Sequence, residues 1–218
     1  MTKSFLALLK EASAELEERK ITYAVVGGVA ANYYKTASRL TPDVDFAIVT
    51  KSNSETLARE IIEKFGFTAT SLRKAQLEGG PAFAIKNKST PYQVVVGRIP
   101  GDDEKIGLDI LLPEMPWVPE AVDRAQKNVV SIARGLAVPV LIIEDVIISK
   151  LIAYNSKSTR VKDIEDLQAV LQNNKELNNS LIADEIKKYG LKIPKILQPH
   201  FHHTVLRVER KQKGSKRY

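Results

Sequence analysis

Residues 25–49 read VVGGVAANYYKTASRLTPDVDFAIV, and the order of apolar runs, glycines and paired aspartates in this stretch decides the fold. The run 21–26 is short, apolar and rich in β-branched side chains, which predicts a strand. It ends at Gly27 and Gly28, and residues 29–34 then read as the start of a helix. Pro42 introduces a second strand over 43–49, in which Val44, Phe46 and Ile48 fall on one side and Asp43, Asp45 and Ala47 on the other.

Two carboxylates at i and i+2 on a strand share a face and lie about 6.6–6.8 Å apart along the backbone, near enough to converge on a pair of cations. Cations about 3.5–4 Å apart clamp the attacking and leaving oxygens of an in-line phosphoryl displacement. Alone, the pair says little, because a chain of this length holds on the order of one Asp-x-Asp by chance. Its position changes that. A glycine turn lets backbone N–H groups approach a polyphosphate, and the amino terminus of the following helix adds a favourable field. Asp43 and Asp45 are therefore candidate metal ligands, with solvated surface charge as the plain alternative. Gly27 and Gly28 are a candidate phosphate cradle, or simply the end of a strand.

Working outward, residues 5–16 repeat apolar side chains at helical spacing and predict an amphipathic helix. Residues 57–65 form a helix stopped by Gly66, and 67–72 a further strand. Segments 82–86 and 93–99 read as a hairpin, followed by a strand over 108–112 that carries Asp109. A buried aspartate on an apolar strand needs a partner, and a metal is one such partner. Between Pro113 and Pro139 the expectation is one short helix around Ala121 and one short strand over 129–133. From Glu144 the pattern turns helical. The resulting class is α+β, with a core over 1–140, a helical C-terminal lobe over 141–200 and a basic tail over 201–218.

The stretch quoted above resembles the nucleotide-binding signature of polymerase-β-like nucleotidyltransferases: a strand, Gly-Gly, a helix, then Asp-x-Asp on the next strand. Arg39, Thr41, Asp43 and Asp45 together resemble the abortive-infection, type IV toxin–antitoxin branch. GLDILLP (107–113) places Asp109 where that family has its third carboxylate. VPVLIIEDVIISKLIAY (138–154) and RVKDIEDL (160–167) are similar to its helical segment with a lysine and later aspartates. The matches span about residues 21–171; the 14 residues between Gly28 and Asp43 make that interval slightly longer than the family's.

The resemblance implies a mixed sheet flanked by helices, and a core in which Asp43 and Asp45 bind two Mg²⁺ ions, Mn²⁺ being an alternative. It implies that Asp109 binds the ion that activates an acceptor hydroxyl and that Gly27 and Gly28 cradle the triphosphate. Lys150 and Arg39 would meet phosphate charge. A hydroxyl would attack the α-phosphate of a nucleoside triphosphate and pyrophosphate would leave. The implied partners are a nucleoside triphosphate, an RNA (tRNA) or protein acceptor, and an antitoxin protein.

Composition sets the outer limits. The 218 residues suffice for one substantial core and a smaller appended lobe. Without cysteine, thiolate metal sites, disulfides and a cysteine nucleophile are excluded, so any metal sits on oxygen or histidine. No apolar stretch approaches a membrane span or a signal-peptide core, so a soluble cytoplasmic protein without a membrane partner is expected. The net charge of +7 suits an anionic partner, but residues 207–218 alone hold six basic side chains and one acidic one, leaving the body weakly basic. That tail either contacts RNA phosphates or is merely solvated.

His200, His202 and His203 read as solvent-facing rather than ligating, and Lys162 with Asp166 at i, i+4 reads as a surface ion pair. Asp163 and Asp166 are candidates to support the site from behind. Two other functions compete with transfer to a macromolecule. One is nucleotidylation of a small molecule such as an antibiotic, and the other is nucleotide or RNA binding without catalysis.

Overall fold

The computed structural model describes residues 4–37, 41–72, 93–100, 106–156, 161–174 and 176–201. Helix α1 (Phe5–Glu18) starts at Ser4, whose hydroxyl accepts from the Ala7 N–H, and it buries Leu8, Leu9, Ala12 and Leu16 along one stripe. Strand β1 (Thr22–Val25) leads into α2 (Gly27–Tyr33), which starts at Gly27 itself, earlier than the apolar pattern from residue 29 suggests. Strand β2 (Asp43–Val49) follows, with Val44, Phe46 and Ile48 fully buried. Phe46 meets Tyr23 edge-on at 5.6 Å between ring centroids. Burial of such a side chain contributes about 1.5–3 kcal/mol.

Asn53 caps α3 (Ser54–Lys64) by accepting from Thr56 N–H at 3.0 Å. Beyond it lie β3 (Thr68–Leu72), β4 (Val94–Arg98) and β5 (Gly107–Leu111). The hairpin arm expected over 82–86 lies outside the described residues. The five strands form one sheet in the order β1-β2-β5-β4-β3; β2 and β5 are parallel and the other neighbours antiparallel. This mixed sheet with flanking helices makes the protein α+β. The parallel pair at its centre is what sets the second strand's aspartates beside the fifth strand's.

After α4 (Val118–Ala125) the chain makes a two-stranded ribbon of β6 (Val129–Ala133) and β7 (Leu136–Pro139), where one strand was expected. Gly135, at φ +73°, turns the ribbon, and β7 is too short, and too near Pro139, to show a period of its own. Val140 then bridges to Val25, and the Leu141 N–H bonds the Val25 carbonyl at 3.2 Å.

Three longer helices follow, α5 (Ile143–Ser156), α6 (Val161–Asn173) and α7 (Asn179–Tyr189), the last ended by left-handed Gly190, and a short 3-10 helix over Lys195–Leu197 lies beyond them. Arg124 forks onto Asp145 with bonds of 2.8 and 2.6 Å and so ties α4 to the start of α5. The Tyr34 hydroxyl donates to the Leu141 carbonyl at 2.9 Å and ties the end of α2 to the same junction. Among the described residues, no helix is long and apolar enough to cross a membrane.

Candidate active site

Asp43 and Asp45 project from β2 as half-buried residues on either side of fully buried Val44. The parallel register sets Asp45 directly beside Asp109 of β5, and Asp43 beside Gly107. Three carboxylates thus share one face of two neighbouring strands, although 64 residues of sequence separate Asp45 from Asp109. Their proximity is electrostatically costly. Burial, with the charges of Asp109 and Asp43, pushes the Asp45 carboxyl up to about 8, while the Lys150 charge and the Gly28 backbone N–H pull the other way. Burial also raises Asp109, against the opposing hydrogen bond and charge of Arg98.

Glycine is required around this face. Gly27 sits at φ +62°, and a Cβ there would collide with the Asp45 carboxylate. A Cβ on Gly28 would come within 2.6 Å of Thr41 Oγ1. Gly27 lets the start of α2 press against Asp45 and Gly28 lets it press against Thr41, with the Gly28 N–H bonded to Asp45. Gly107 plays the same part from β5, since a Cβ there would strike both Asp43 Oδ1 and the Arg98 guanidinium.

Arg98 is the residue the sequence did not single out. It stands at the end of β4, two positions beyond Val96, the cross-strand partner of Asp109, and so on the same face. Its guanidinium forks onto Asp109, with Nη1 on Oδ1 and Nη2 on Oδ2 at 3.0 Å, and its Nη2 lies 3.6 Å from Asp43 Oδ1. Period-two alternation along 93–99 could have marked the face, but only the pairing of β4 with β5 identifies which carboxylate it meets.

Lys150 lies on the inner side of α5 and is almost fully buried. Its ammonium reaches Asp163 at 3.0 Å and Asp166 at 2.8 Å, and Lys35 from the end of α2 reaches the other Asp166 oxygen at 2.7 Å. Asp166 is therefore not the surface partner of Lys162 that i, i+4 spacing suggested. It is buried between two lysines while Lys162 faces solvent. Lys35 was not foreseen, because its partner is 131 residues away. His200 is exposed, whereas Arg39, His202, His203 and the basic tail lie outside the described residues.

A family model described as "Nucleotidyl transferase AbiEii toxin, Type IV TA system" matches residues 8–215. The chain belongs to this nucleotidyltransferase family. Among solved structures, the solution structure of the antibiotic-resistance factor ANT(2'')-Ia is similar, at 18% identity and TM-score 0.53, over 93% of this chain and 100% of that one. An antigenic nucleotidyltransferase-like protein from Paracoccidioides brasiliensis matches at 16% identity and TM-score 0.48, over 93% of this chain and 95% of that one. None of the curated proteins matches the chain by sequence. As a member of this family the chain is an enzyme, a nucleotidyltransferase, and its mixed sheet with flanking helices is the α+β fold that ANT(2'')-Ia shares.

The chemistry of the donors suits a hard divalent cation, since carboxylate oxygens are what Mg²⁺ and Mn²⁺ prefer. A cation there would also offset the burial, and the neighbouring charges of Asp109 and Asp43, that raise Asp45. Among the described residues, no three acidic or histidine side chains are drawn together as a finished coordination cluster, and both oxygens of Asp109 face Arg98.

Proposed function

We propose that this protein moves a nucleoside monophosphate from a nucleoside triphosphate to a hydroxyl of a macromolecule, RNA such as tRNA ahead of protein, as the toxin of a toxin–antitoxin pair. The observation that carries the reading is the side-by-side placement of Asp45 and Asp109 on parallel strands, with Asp43 on the same face and the glycine pair pressed against it. Asp43, Asp45 and Asp109 would hold divalent cations, which nucleotidyltransferases of this kind usually use. Bound there, they neutralise the triphosphate and the charge that develops during transfer.

Gly27 and Gly28, lacking Cβ atoms, let the phosphates come close to the backbone at the start of α2, where the Gly28 N–H already holds Asp45 in place. Lys150 adds positive charge behind Asp45 without leaving its own carboxylate partners. Arg39 is assigned to phosphate charge as well. The acceptor oxygen bonds to the α-phosphorus as the α–β anhydride breaks, and pyrophosphate departs. The preference for RNA rests on the net charge of +7 and on the basic run over 207–217.

The test incubates the protein with Mg²⁺, each α-³²P-labelled nucleoside triphosphate in turn and total RNA, beside Asp43→Asn. Label on RNA that vanishes in the variant establishes transfer and names both nucleotide and acceptor class. Label on neither RNA nor protein would overturn the macromolecular acceptor. Removal of residues 207–218 should weaken RNA binding and flatten its dependence on salt; unchanged affinity and slope would take the tail out of the mechanism.

A further inference from the structure

We propose that Arg98 is the resident counter-ion of the carboxylate face, holding Asp109 and leaning on Asp43 until a metal-bound nucleotide takes its place. The proposal rests on the reading of Asp43, Asp45 and Asp109 as the metal site. A guanidinium that only tied β4 to β5 would need no carboxylate beyond Asp109. Arg98 instead reaches carboxylates on two different strands, forking onto Asp109 and approaching Asp43 at 3.6 Å.

The backbone makes room for that reach. Gly107, the neighbour of Asp43 across the β2–β5 ladder, lacks the Cβ that would block both the guanidinium and the Asp43 oxygen. The Arg98 side chain is 43% exposed against 14% for Asp109, so the guanidinium has an open path outward while its partner does not. Charge leaves the arrangement unfinished, because one guanidinium faces three carboxylates and Asp45 receives no bond from it. A divalent cation seeking Asp109 would compete for the oxygens that Arg98 now engages and would repel the guanidinium at close range. Exchange follows: the cation displaces Arg98, which is then free to face the phosphates.

The sign of one measurement separates exchange from simple support. A residue that only oriented Asp109 would, on removal, weaken metal binding by roughly 10–100-fold. Competition predicts the opposite, a gain of roughly 5–150-fold. Mn²⁺ alone is titrated into the full-length protein without nucleotide, and free Mn²⁺ is read by electron paramagnetic resonance for wild type, Arg98→Ala, Arg98→Lys and Asp45→Asn. Tighter binding is expected in Arg98→Ala and, to a lesser degree, in Arg98→Lys, which keeps the charge but cannot fork onto both oxygens.

If Arg98→Ala fails to fold by circular dichroism, Arg98→Lys carries the same test. Equal or weaker binding in the Arg98 variants, with binding lost in Asp45→Asn, overturns the proposal and leaves the metal site standing. Mn²⁺ binding that ignores Asp45→Asn altogether sinks the metal site, and the role of Arg98 with it.

Discussion

Lys35, Lys150, Asp163 and Asp166 form one cluster of charge, and Asp43, Asp45, Asp109 and Arg98 form another, and the two differ in how their charges are matched. In the first, two ammonium groups meet two carboxylates at 2.7 to 3.0 Å, and the side chains are almost wholly buried. In the second, three carboxylates face one guanidinium on an open face, and Asp45 is driven up to about 8. The matched cluster joins α2, α5 and α6 with as many positive as negative charges. The mismatched one crowds carboxylates that a cation would neutralise, which is why transfer is expected at the second, with the first bracing it and lending the Lys150 charge from behind.

The comparison breaks most readily at Lys150. Replacing it with Met removes a cation from between two buried aspartates, which should cost about 3–5 kcal/mol of stability. Thermal denaturation reads this directly. A Lys150→Met protein as stable as wild type would mean that the cluster does not hold the helices to the core.

Asp45→Asn should act the other way round, cutting transfer on the order of 10²–10³-fold or more while the fold survives. Initial rates with labelled nucleotide, paired with a melting curve, check both halves. An active, well-folded Asp45→Asn protein would remove the carboxylate face from the mechanism. Gly27→Ala comes next. Its Cβ collides with Asp45 and its φ is left-handed, so a loss of about 1–3 kcal/mol in stability is expected together with impaired transfer. A neutral result would mean that α2 can back away from the carboxylates without consequence.

Much of this was legible in the residues. The alternation over 43–49 and the Gly27-Gly28 turn foretold β2, α2 and the face on which Asp43 and Asp45 lie, because local period and backbone freedom are encoded locally. Asp109 was legible as an acid on an apolar strand. Its place beside Asp45 depends on the β2–β5 pairing, which no local pattern states. Arg98 and Lys35 were missed for that reason, since each matters through a partner on another element. Strand β7 escaped because four residues ending in proline carry too little periodicity to outweigh a loop.

The last effect reads the burial and crowding of Asp45 directly. A carboxyl near 8 in the folded protein and near 3.9 in the unfolded chain binds more protons when folded between those values. Stability from this group is therefore fully present below about pH 4, declines as pH rises through the window, and is lost above about 8. Without added cation the wild-type melting temperature should fall by a few degrees between pH 6 and pH 8.5, and Asp45→Asn, which has no proton to lose, should fall less. Saturating Mn²⁺ should flatten the wild-type curve too, because a bound cation favours the ionised carboxylate that alkaline pH produces. If wild type and Asp45→Asn lose stability in parallel, the repulsion is dissipated by side-chain movement, and the carboxylate face is as well matched in solution as the lysine–aspartate cluster behind it.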